Sequence, residues 1–332
     1  MTGNQPLLQV EDLRVSFPIR RGILNRQVAE VRAVDGVSFS IKRGSAFGLV
    51  GESGCGKTTV ARAVLQLVDI ASGTIRYDGA DVAQMGAPAL KQFRSKVQAV
   101  FQDPFSSLNP RMTVGRILSE PMRVHRLLPD SQIKAEVARL LDICGLPSAF
   151  ADLFPHEMSG GQRQRVGIAR ALSMKPDLIV CDEAVSALDV SIQAQIINLL
   201  EELQRELGLT YLFIGHDLSV VRHLCDEVAV MYLGRVAETA PSDPLFARPM
   251  HPYTQALIDA VPHPDPDYEA GREIVPLEGE VPSPANPPSG CHFHPRCPIA
   301  IDRCRHEIPH LDPVEPRHMA ACWKAGALVP SD

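Results

Sequence analysis

The chain has 332 residues, of which 45% are hydrophobic and 22% are charged, so it is long enough to bury a full core and to form a large domain with a smaller one. A formal net charge of −6 gives no electrostatic reason to expect nucleic acid as a partner. The first residues lack the pattern of an export signal, and no run of about 18 uncharged apolar residues occurs. We therefore expect a globular protein that stays in the cytoplasm unless a membrane partner holds it.

Alternating apolar and polar residues predict a β-rich layer in the first part of the chain. The apolar members are Leu13, Val15, Phe17, Val37, Phe39, Ile41, Ile75 and Tyr77. A helical stretch follows, because five apolar residues recur at the spacing of one helix face. They are Ile133, Val137, Leu140, Leu141 and Cys144. Two apolar runs, at residues 178–181 and 211–214, then predict buried parallel strands.

Residues 51–59 read GESGCGKTT and follow the apolar run at residues 46–50. A strand that enters such a glycine-rich turn before a helix directs backbone N–H groups at phosphate oxygens. Lys57 can then reach the β- and γ-phosphates, and the Thr58 hydroxyl can ligand Mg²⁺. The candidate ATP-binding residues of the loop are Gly51, Glu52, Ser53, Gly54, Cys55, Gly56, Lys57, Thr58 and Thr59. The alternative is a glycine-rich turn that binds no ligand.

Two adjacent carboxylates, Asp182 and Glu183, follow the predicted strand at residues 178–181. Ligands bind at the carboxyl ends of parallel strands, so we expect Asp182 to hold Mg²⁺ and Glu183 to orient or deprotonate an attacking water. The alternative is an acidic cap where a strand reaches the surface. His216 and Gln102 also follow apolar strands. His216 could donate to the γ-phosphate and Gln102 could contact Mg²⁺ or the water, but either residue alone is a weak signal.

A second anion site is predicted where Ser159, Gly160, Gly161 and Gln162 precede a helix that we expect to run to about Met174. The N–H groups and the dipole at a helix start attract phosphate. Because the chain already has a phosphate loop more than a hundred residues earlier, the second site is expected to serve a nucleotide held by another subunit. The alternative is an ordinary helix start capped by serine.

Composition changes near residue 241, since 18 of the 28 prolines and 7 of the 11 histidines lie at or after Pro241. This tail also holds Cys291, Cys297, Cys304 and Cys322. Four thiols in a reducing compartment suit a zinc ion or an iron–sulfur cluster, although the spacing contains no Cys-x-x-Cys pair, and unligated structural thiols are the alternative. Nearby histidines could act as ligands or lie on the surface; they are His292, His294, His306, His310 and His318.

These motifs together resemble the ATP-binding subunits of ABC transporters. The matching segments are residues 51–58, Gln102, residues 159–162, the Asp182 and Glu183 pair, the loop of residues 186–189 that ends in Asp189, and His216. The resemblance implies an α/β fold: a P-loop nucleotide-binding domain with a mainly parallel sheet core, an antiparallel β layer and a helical subdomain. It further implies that this domain covers residues 1–240, with the helical subdomain at about 105–175, and that a small proline- and cysteine-rich extension covers residues 241–332.

In that family two subunits meet head to tail, so each ATP contacts the phosphate loop of one subunit and the signature of the other. The signature corresponds to residues 159–162 in this chain. Phe17 matches the aromatic residue that stacks on adenine, although an insertion at residues 18–30 follows it and a core position on a strand is the alternative. Met158 and Gly215 depart from the usual pattern, and neither replaces a catalytic group. The resemblance therefore implies an active ATPase.

A finer resemblance is to the peptide and nickel branch of importers, on the runs FQDPFSSLNPRMTVGRIL, HEMSGGQRQRVGIARAL, HPYTQAL and PPSGCHFHPRCP. The segment before the phosphate loop is similar to the second of two unlike ATPase subunits. It implies a heterodimer with a paralogous ATPase, on the cytoplasmic face of the membrane beneath two permease subunits, with an extracytoplasmic substrate-binding protein. In that branch the cysteine tail is associated with a [4Fe–4S] cluster.

Two other functions are compatible with the sequence, and a third is disfavoured. A nickel or other small-solute importer would carry the same ATPase motifs. A regulatory ATPase could use the cysteine tail to sense redox or iron state. A soluble ATPase acting on DNA or ribosomes usually carries a long coiled coil or two ATPase units, and the sequence predicts neither.

Overall fold

The computed structural model describes residues 5–21, 26–103, 107–261 and 279–327. The chain forms two compact units, each assembled from separate stretches. The first contains residues 1–8, 41–46 and 76–214, and the second contains residues 9–40, 47–75 and 215–332. Part of the predicted insertion at residues 18–30, and the predicted start of the helical subdomain near residue 105, lie outside the described residues.

The strands, in chain order, are β1 (Leu8–Arg21), β2 (Arg26–Ile41), β3 (Ala46–Val50), β4 (Ser72–Tyr77), β5 (Ala80–Asp81), β6 (Val97–Phe101), β7 (Leu178–Asp182), β8 (Thr210–Ile214), β9 (Glu227–Tyr232), β10 (Arg235–Pro241), β11 (Asp312–Glu315) and β12 (His318–Ala320). The helices are α1 (Lys57–Val64), α2 (Ala87–Lys96), α3 (Val114–Val124), α4 (Asp130–Ile143), α5 (Gly160–Leu172), α6 (Val190–Leu207), α7 (Leu218–Leu224), α8 (Ser242–Ala247), α9 (Pro252–Asp259) and α10 (Arg303–His306). Short 3₁₀ turns lie at Val82–Gln84, Ser148–Asp152, Pro155–Glu157 and His294–Arg296.

In the first unit, β6, β7 and β8 form a parallel sheet whose central strand is β7. Every residue of β7 and β8 is buried, as their unbroken apolar runs predict. Phe101 is paired with Asp182 in the register of β6 and β7. Because parallel strands end at one edge, Gln102 and Glu183 leave the sheet at that same edge.

The helical part of the first unit is built on α3, α4 and α5. The predicted face of α4 is confirmed, since Ile133, Val137, Leu140 and Leu141 are all buried. Cys144 follows the helix and is also buried. Arg165 of α5 donates from Nη1 to the Cys144 carbonyl at 2.7 Å, which ties α5 to the end of α4.

In the second unit, β2, β1 and β4 pair in that order to form the predicted β layer. β3 runs parallel to β9, and β9, β10, β12 and β11 continue as antiparallel neighbours. The C-terminal strands β11 and β12 therefore belong to the same sheet as the strand before the phosphate loop. Among the residues that the structure describes, no helix is long and apolar enough to cross a membrane.

Candidate nucleotide-binding site

The phosphate loop of the second unit joins β3 to α1, and two of its glycines have backbone geometry that other residues rarely adopt. Gly51 has a φ of 146°, and a Cβ there would lie 2.2 Å from the Met231 carbonyl oxygen. Gly56 has a φ of 108°, and a Cβ there would lie 2.2 Å from the Ala33 carbonyl oxygen. Both distances are shorter than any real Cβ contact, so the loop path requires glycine at these positions.

Lys57 is the first residue of α1, and its side chain curls back over the loop. Its Nζ donates to the carbonyl oxygens of Gly51 at 2.7 Å and Glu52 at 2.9 Å. The residue is only 4% exposed. The ammonium group is therefore held against the loop backbone, at the end of the helix that carries the positive dipole.

Glu52, the second residue of the loop, has two partners from the C-terminal part of the same unit. Its backbone N–H donates to the Tyr253 hydroxyl at 2.8 Å. Its carboxylate accepts from Arg296 through Nη1 at 2.7 Å and Nη2 at 3.0 Å. Sequence reasoning missed Tyr253 and Arg296 as parts of the site. Their only signal in the sequence is that they lie in the HPYTQAL and HPRCP runs, which carry the resemblance to importers.

The carboxylate pair lies in the first unit at the end of β7. Asp182 is the last residue of the strand and is 8% exposed. Glu183 follows with a left-handed φ of 50°, and its N–H donates to the Ile214 carbonyl at 2.8 Å. A non-glycine residue in this conformation costs about 1–2 kcal/mol, a strain that is often found at functional positions. Gln102 lies just past β6 and is exposed.

The predicted signature also lies in the first unit, where it begins α5. Ser159 caps the helix: its Oγ accepts from the Gln162 N–H at 3.3 Å, and the Gln162 Oε1 accepts from the Ser159 N–H at 2.9 Å. α5 ends at Leu172 rather than at Met174. A Cβ at Gly161 would lie 2.5 Å from Ile192 Cγ2, so the helix start packs closely on α6, which begins just after Asp189.

Two further predicted residues belong to the second unit. His216 lies two residues after the end of β8 and is exposed. Phe17 lies on β1 and is 41% exposed, so the alternative interpretation of Phe17 as a core residue is wrong. An exposed aromatic ring on this strand is available for stacking on a flat ligand.

The tail cysteines lie close together, but their surroundings give no support to the predicted metal site. Cys291, Cys297, Cys304 and Cys322 all line one cavity, whose volume of about 10 Å³ holds roughly one water molecule. Across the described parts of the chain, no group of three or more His, Cys, Asp or Glu side chains is placed to hold a metal ion. The expectation of a [4Fe–4S] cluster, or of zinc, is therefore not supported by the structure.

Burial raises the pKa values of three of these thiols. It raises the pKa of Cys297 to about 11, and it also raises the pKa values of Cys291 and Cys322 above the usual value for a thiol. The N–H of Cys291 donates to the Cys304 carbonyl at 2.8 Å, so a backbone hydrogen bond joins the two segments that carry these cysteines. Burial therefore favours the protonated form of Cys291, Cys297 and Cys322.

A buried strand that leads through this loop into a helix, together with a buried carboxylate at the end of a parallel strand, defines a P-loop nucleotide-binding protein. Two family models match the chain: ABC transporter over residues 34–186, and the C-terminal region of oligopeptide and dipeptide transporters over residues 237–304.

Relatives extend these matches over almost the whole chain. A probable peptide ABC transporter ATP-binding protein of Sinorhizobium fredii is 54% identical over 316 residues, which cover 95% of this chain and 89% of that protein. The oligopeptide transport ATP-binding protein AppF of Bacillus subtilis is 51% identical over 321 residues, which cover 96% of this chain and 98% of that protein. The chain therefore belongs to the family of ATP-binding proteins of peptide ABC transporters.

Solved structures confirm the fold. CbiO1 of Clostridium perfringens, part of an ABC transporter complex, has a TM-score of 0.63 and 30% identity, over 74% of this chain and 92% of that one. A dimeric ATP-binding cassette in a post-hydrolysis state, bound to ADP and phosphate, also has a TM-score of 0.63, with 25% identity over 71% of this chain and 98% of that one. The predicted fold class, the predicted family and the assignment as an ATPase are confirmed.

Proposed function

We propose that this chain binds and hydrolyses ATP to power the import of peptides, of the dipeptide or oligopeptide class, across the cytoplasmic membrane. The observation that carries the proposal is the extent of similarity: relatives named for peptide or oligopeptide transport are 51–54% identical over 95–96% of the chain. That similarity includes the C-terminal region as well as the ATPase motifs.

The phosphate loop is proposed to hold the triphosphate. The dipole at the start of α1 favours an anion there, and Lys57 supplies a positive charge that is already positioned by the loop carbonyls. The loop members assigned to ATP are Gly51, Glu52, Ser53, Gly54, Cys55, Gly56, Lys57, Thr58 and Thr59. Phe17 is proposed to stack on adenine, since its ring is exposed on β1.

Hydrolysis is assigned to groups that follow the strands. Glu183 orients or deprotonates the water, Gln102 contacts the metal or the water, and His216 donates to the γ-phosphate. Thr58, Gln102 and Asp182 offer the oxygen ligands that Mg²⁺ prefers. When bound, Mg²⁺ neutralises charge on the phosphate oxygens during transfer.

The signature is proposed to act on a nucleotide held by a second ATPase subunit. Ser159, Gly160, Gly161 and Gln162 begin α5, and the close packing of Gly161 on α6 places the adjacent Asp189 segment beside them. A helix start with this geometry attracts phosphate. We propose that the second subunit is a paralogous ATPase, so that the working unit is a heterodimer.

The remaining partners are proposed by the same similarity: two permease subunits in the membrane and an extracytoplasmic substrate-binding protein. The chain would then be a peripheral subunit on the cytoplasmic face. Within it, we assign residues 1–240 to the ATPase domain, with a helical subdomain at about 105–175, and residues 241–332 to the C-terminal extension.

The test separates binding from hydrolysis. Lys57→Ala should bind ATP poorly, whereas Glu183→Gln should bind it normally and hydrolyse it at least about 100-fold more slowly, the usual contribution of a general base. ATP binding and phosphate release are measured on the complete transporter, together with uptake of a labelled dipeptide and of a labelled oligopeptide. Hydrolysis by Glu183→Gln at the parent rate would contradict the assignment of the base. Normal hydrolysis without peptide uptake would contradict the substrate class.

A further inference from the structure

Three contacts converge on Glu52, in the phosphate loop. The N–H of Glu52 donates to the Tyr253 hydroxyl, its carboxylate accepts both Arg296 bonds, and its carbonyl accepts from Lys57 Nζ at 2.9 Å. Two of the three partners come from the C-terminal extension and the third is the phosphate-binding lysine. A shift of Glu52 would therefore move the backbone against which Lys57 is held.

Arg296 is held rigidly for this contact. Its side chain is 6% exposed and lies on the 3₁₀ turn at His294–Arg296, with the guanidinium 6.0 Å from the centre of the Tyr232 ring. The hydrogen bonds to Glu52 raise the pKa of Arg296 above its usual value. The fork of two parallel N–H groups fixes both the distance and the plane of the carboxylate.

Tyr253 belongs to the same packed group. Its ring lies 4.7 Å from the Tyr232 ring and 5.4 Å from the Phe293 ring, and it is fully buried on α9. Phe293 packs edge to face on Tyr232 at 5.3 Å. Tyr253, Tyr232 and Phe293 thus form one aromatic cluster, and Arg296 lies against its Tyr232 ring. The two residues of the extension that contact Glu52 are therefore held by the same packed group.

The charge of Glu52 gives the contact a consequence for ligand binding. A carboxylate in a loop that binds polyphosphate repels the ligand unless a cation neutralises it. Arg296 supplies that cation through a bidentate pair that is mostly shielded from water.

We propose that Arg296 and Tyr253 are positioning residues of the phosphate loop, and that through them the C-terminal extension sets the affinity of the site for nucleoside triphosphate. The proposal rests on the proposed function, since it takes ATP as the ligand of the loop. Arg296 acts in two ways: it fixes the loop through Glu52, and it cancels the Glu52 charge.

The experiment compares the affinity of variants of the full chain, with a fluorescent ATP analogue and Mg²⁺ as the probe. Arg296→Ala should raise the Kd about tenfold, and Arg296→Lys should give an intermediate value because it keeps the charge but loses the fork. Arg296→Ala combined with Glu52→Gln should recover part of the lost affinity, since no unpaired carboxylate then remains. A merely structural role for Arg296 predicts no such recovery.

The matched control is Arg317→Ala, which removes an exposed arginine paired with Glu227 at 3.1 Å in the same unit. This variant should bind the analogue as the parent does. Thermal unfolding of every variant confirms that each one is folded under the assay conditions. If folded Arg296→Ala binds with the parent Kd, or if the double variant is as weak as Arg296→Ala, the positioning role is wrong. If the parent itself does not bind the analogue, the proposed function fails instead.

Discussion

His318 and Glu238 form a buried pair, with Nε2 of the histidine 2.6 Å from Oε1 of the glutamate. The side chains are 2% and 0% exposed. The same carboxylate accepts from the N–H groups of Met250 at 2.7 Å and His251 at 2.9 Å. One glutamate of β10 therefore binds both the start of α9 and the strand β12, and it fastens the C-terminal extension from two sides.

Removing this buried charge should destabilise the protein strongly. We expect Glu238→Gln to lower the free energy of unfolding by about 3 kcal/mol, because the amide nitrogen that replaces one carboxylate oxygen cannot accept the buried N–H bonds from Met250 and His251. Urea unfolding measures the change. Glu227→Gln is the control: its partner Arg317 is mostly exposed, so the loss should stay below about 1 kcal/mol. Equal losses in the two variants would show that burial of the pair of His318 and Glu238 adds nothing to the free energy of unfolding.

Stability should fall in mild acid because of His251. Burial lowers the pKa of His251 to about 4, and its Nδ1 accepts the Tyr253 N–H at 3.0 Å, which requires the neutral ring. The unfolded chain takes up this proton near pH 6.5, so the contribution is complete above that pH and is lost as the pH falls toward 4. Between pH 7 and pH 5 the expected loss is about 2 kcal/mol.

Urea unfolding of the parent and of His251→Asn, at pH 7 and at pH 5, tests this expectation. Asparagine can still accept the Tyr253 N–H through its side-chain oxygen, but it does not titrate. The variant should therefore lose about 2 kcal/mol less than the parent on acidification. The same loss in both proteins would assign the acid sensitivity to other groups.

Two glycines of α5 should respond in opposite directions to the same substitution. A Cβ at Gly161 would meet Ile192 Cγ2 at 2.5 Å, whereas a Cβ at Gly167 would meet no atom within 4 Å beyond its own helix backbone. Gly161→Ala should destabilise by about 1–3 kcal/mol through overpacking. Gly167→Ala should stabilise by about 0.5–1 kcal/mol through helix propensity. Thermal unfolding gives both values, and shifts of the same sign would contradict the packing.

Phe17 should affect nucleotide affinity more than stability. Its ring is 41% exposed, so Phe17→Ala removes little buried surface. Loss of one base-stacking contact should weaken ATP binding about tenfold. Leu67→Ala is the control, since Leu67 is 60% exposed and has no proposed role at the site. Titration with the ATP analogue compares them, and an unchanged Kd for Phe17→Ala would remove Phe17 from the site.

The sequence was most informative where neighbouring residues determine the structure. The turn between β3 and α1 needs glycine at fixed places, and the buried strands β7 and β8 are unbroken apolar runs. The buried face of α4 is predicted by apolar residues that recur at the spacing of a helix. Each of these patterns is complete within about 20 residues, which is the range over which local sequence signals act.

Contacts between distant segments could not be predicted in this way. Glu52 and Arg296 are 244 residues apart, and each alone is an ordinary charged residue. His318 was considered as a ligand or a surface residue, and it is instead buried against Glu238. The presence of four cysteines in the tail, together with the resemblance, predicted a metal site, whereas the described residues pack the thiols around a cavity that holds about one water molecule.

The 244-residue separation of Glu52 and Arg296 also has a consequence for synthesis. The strand, loop and helix of the phosphate site leave the ribosome before the C-terminal extension does, since the chain emerges from its N-terminal end. The guanidinium that pairs with Glu52 is made 244 residues later. Until then a nascent chain carries a phosphate loop that lacks its charge partner, and the contact between Glu52 and Arg296 forms only when the C-terminal extension has been made and has folded.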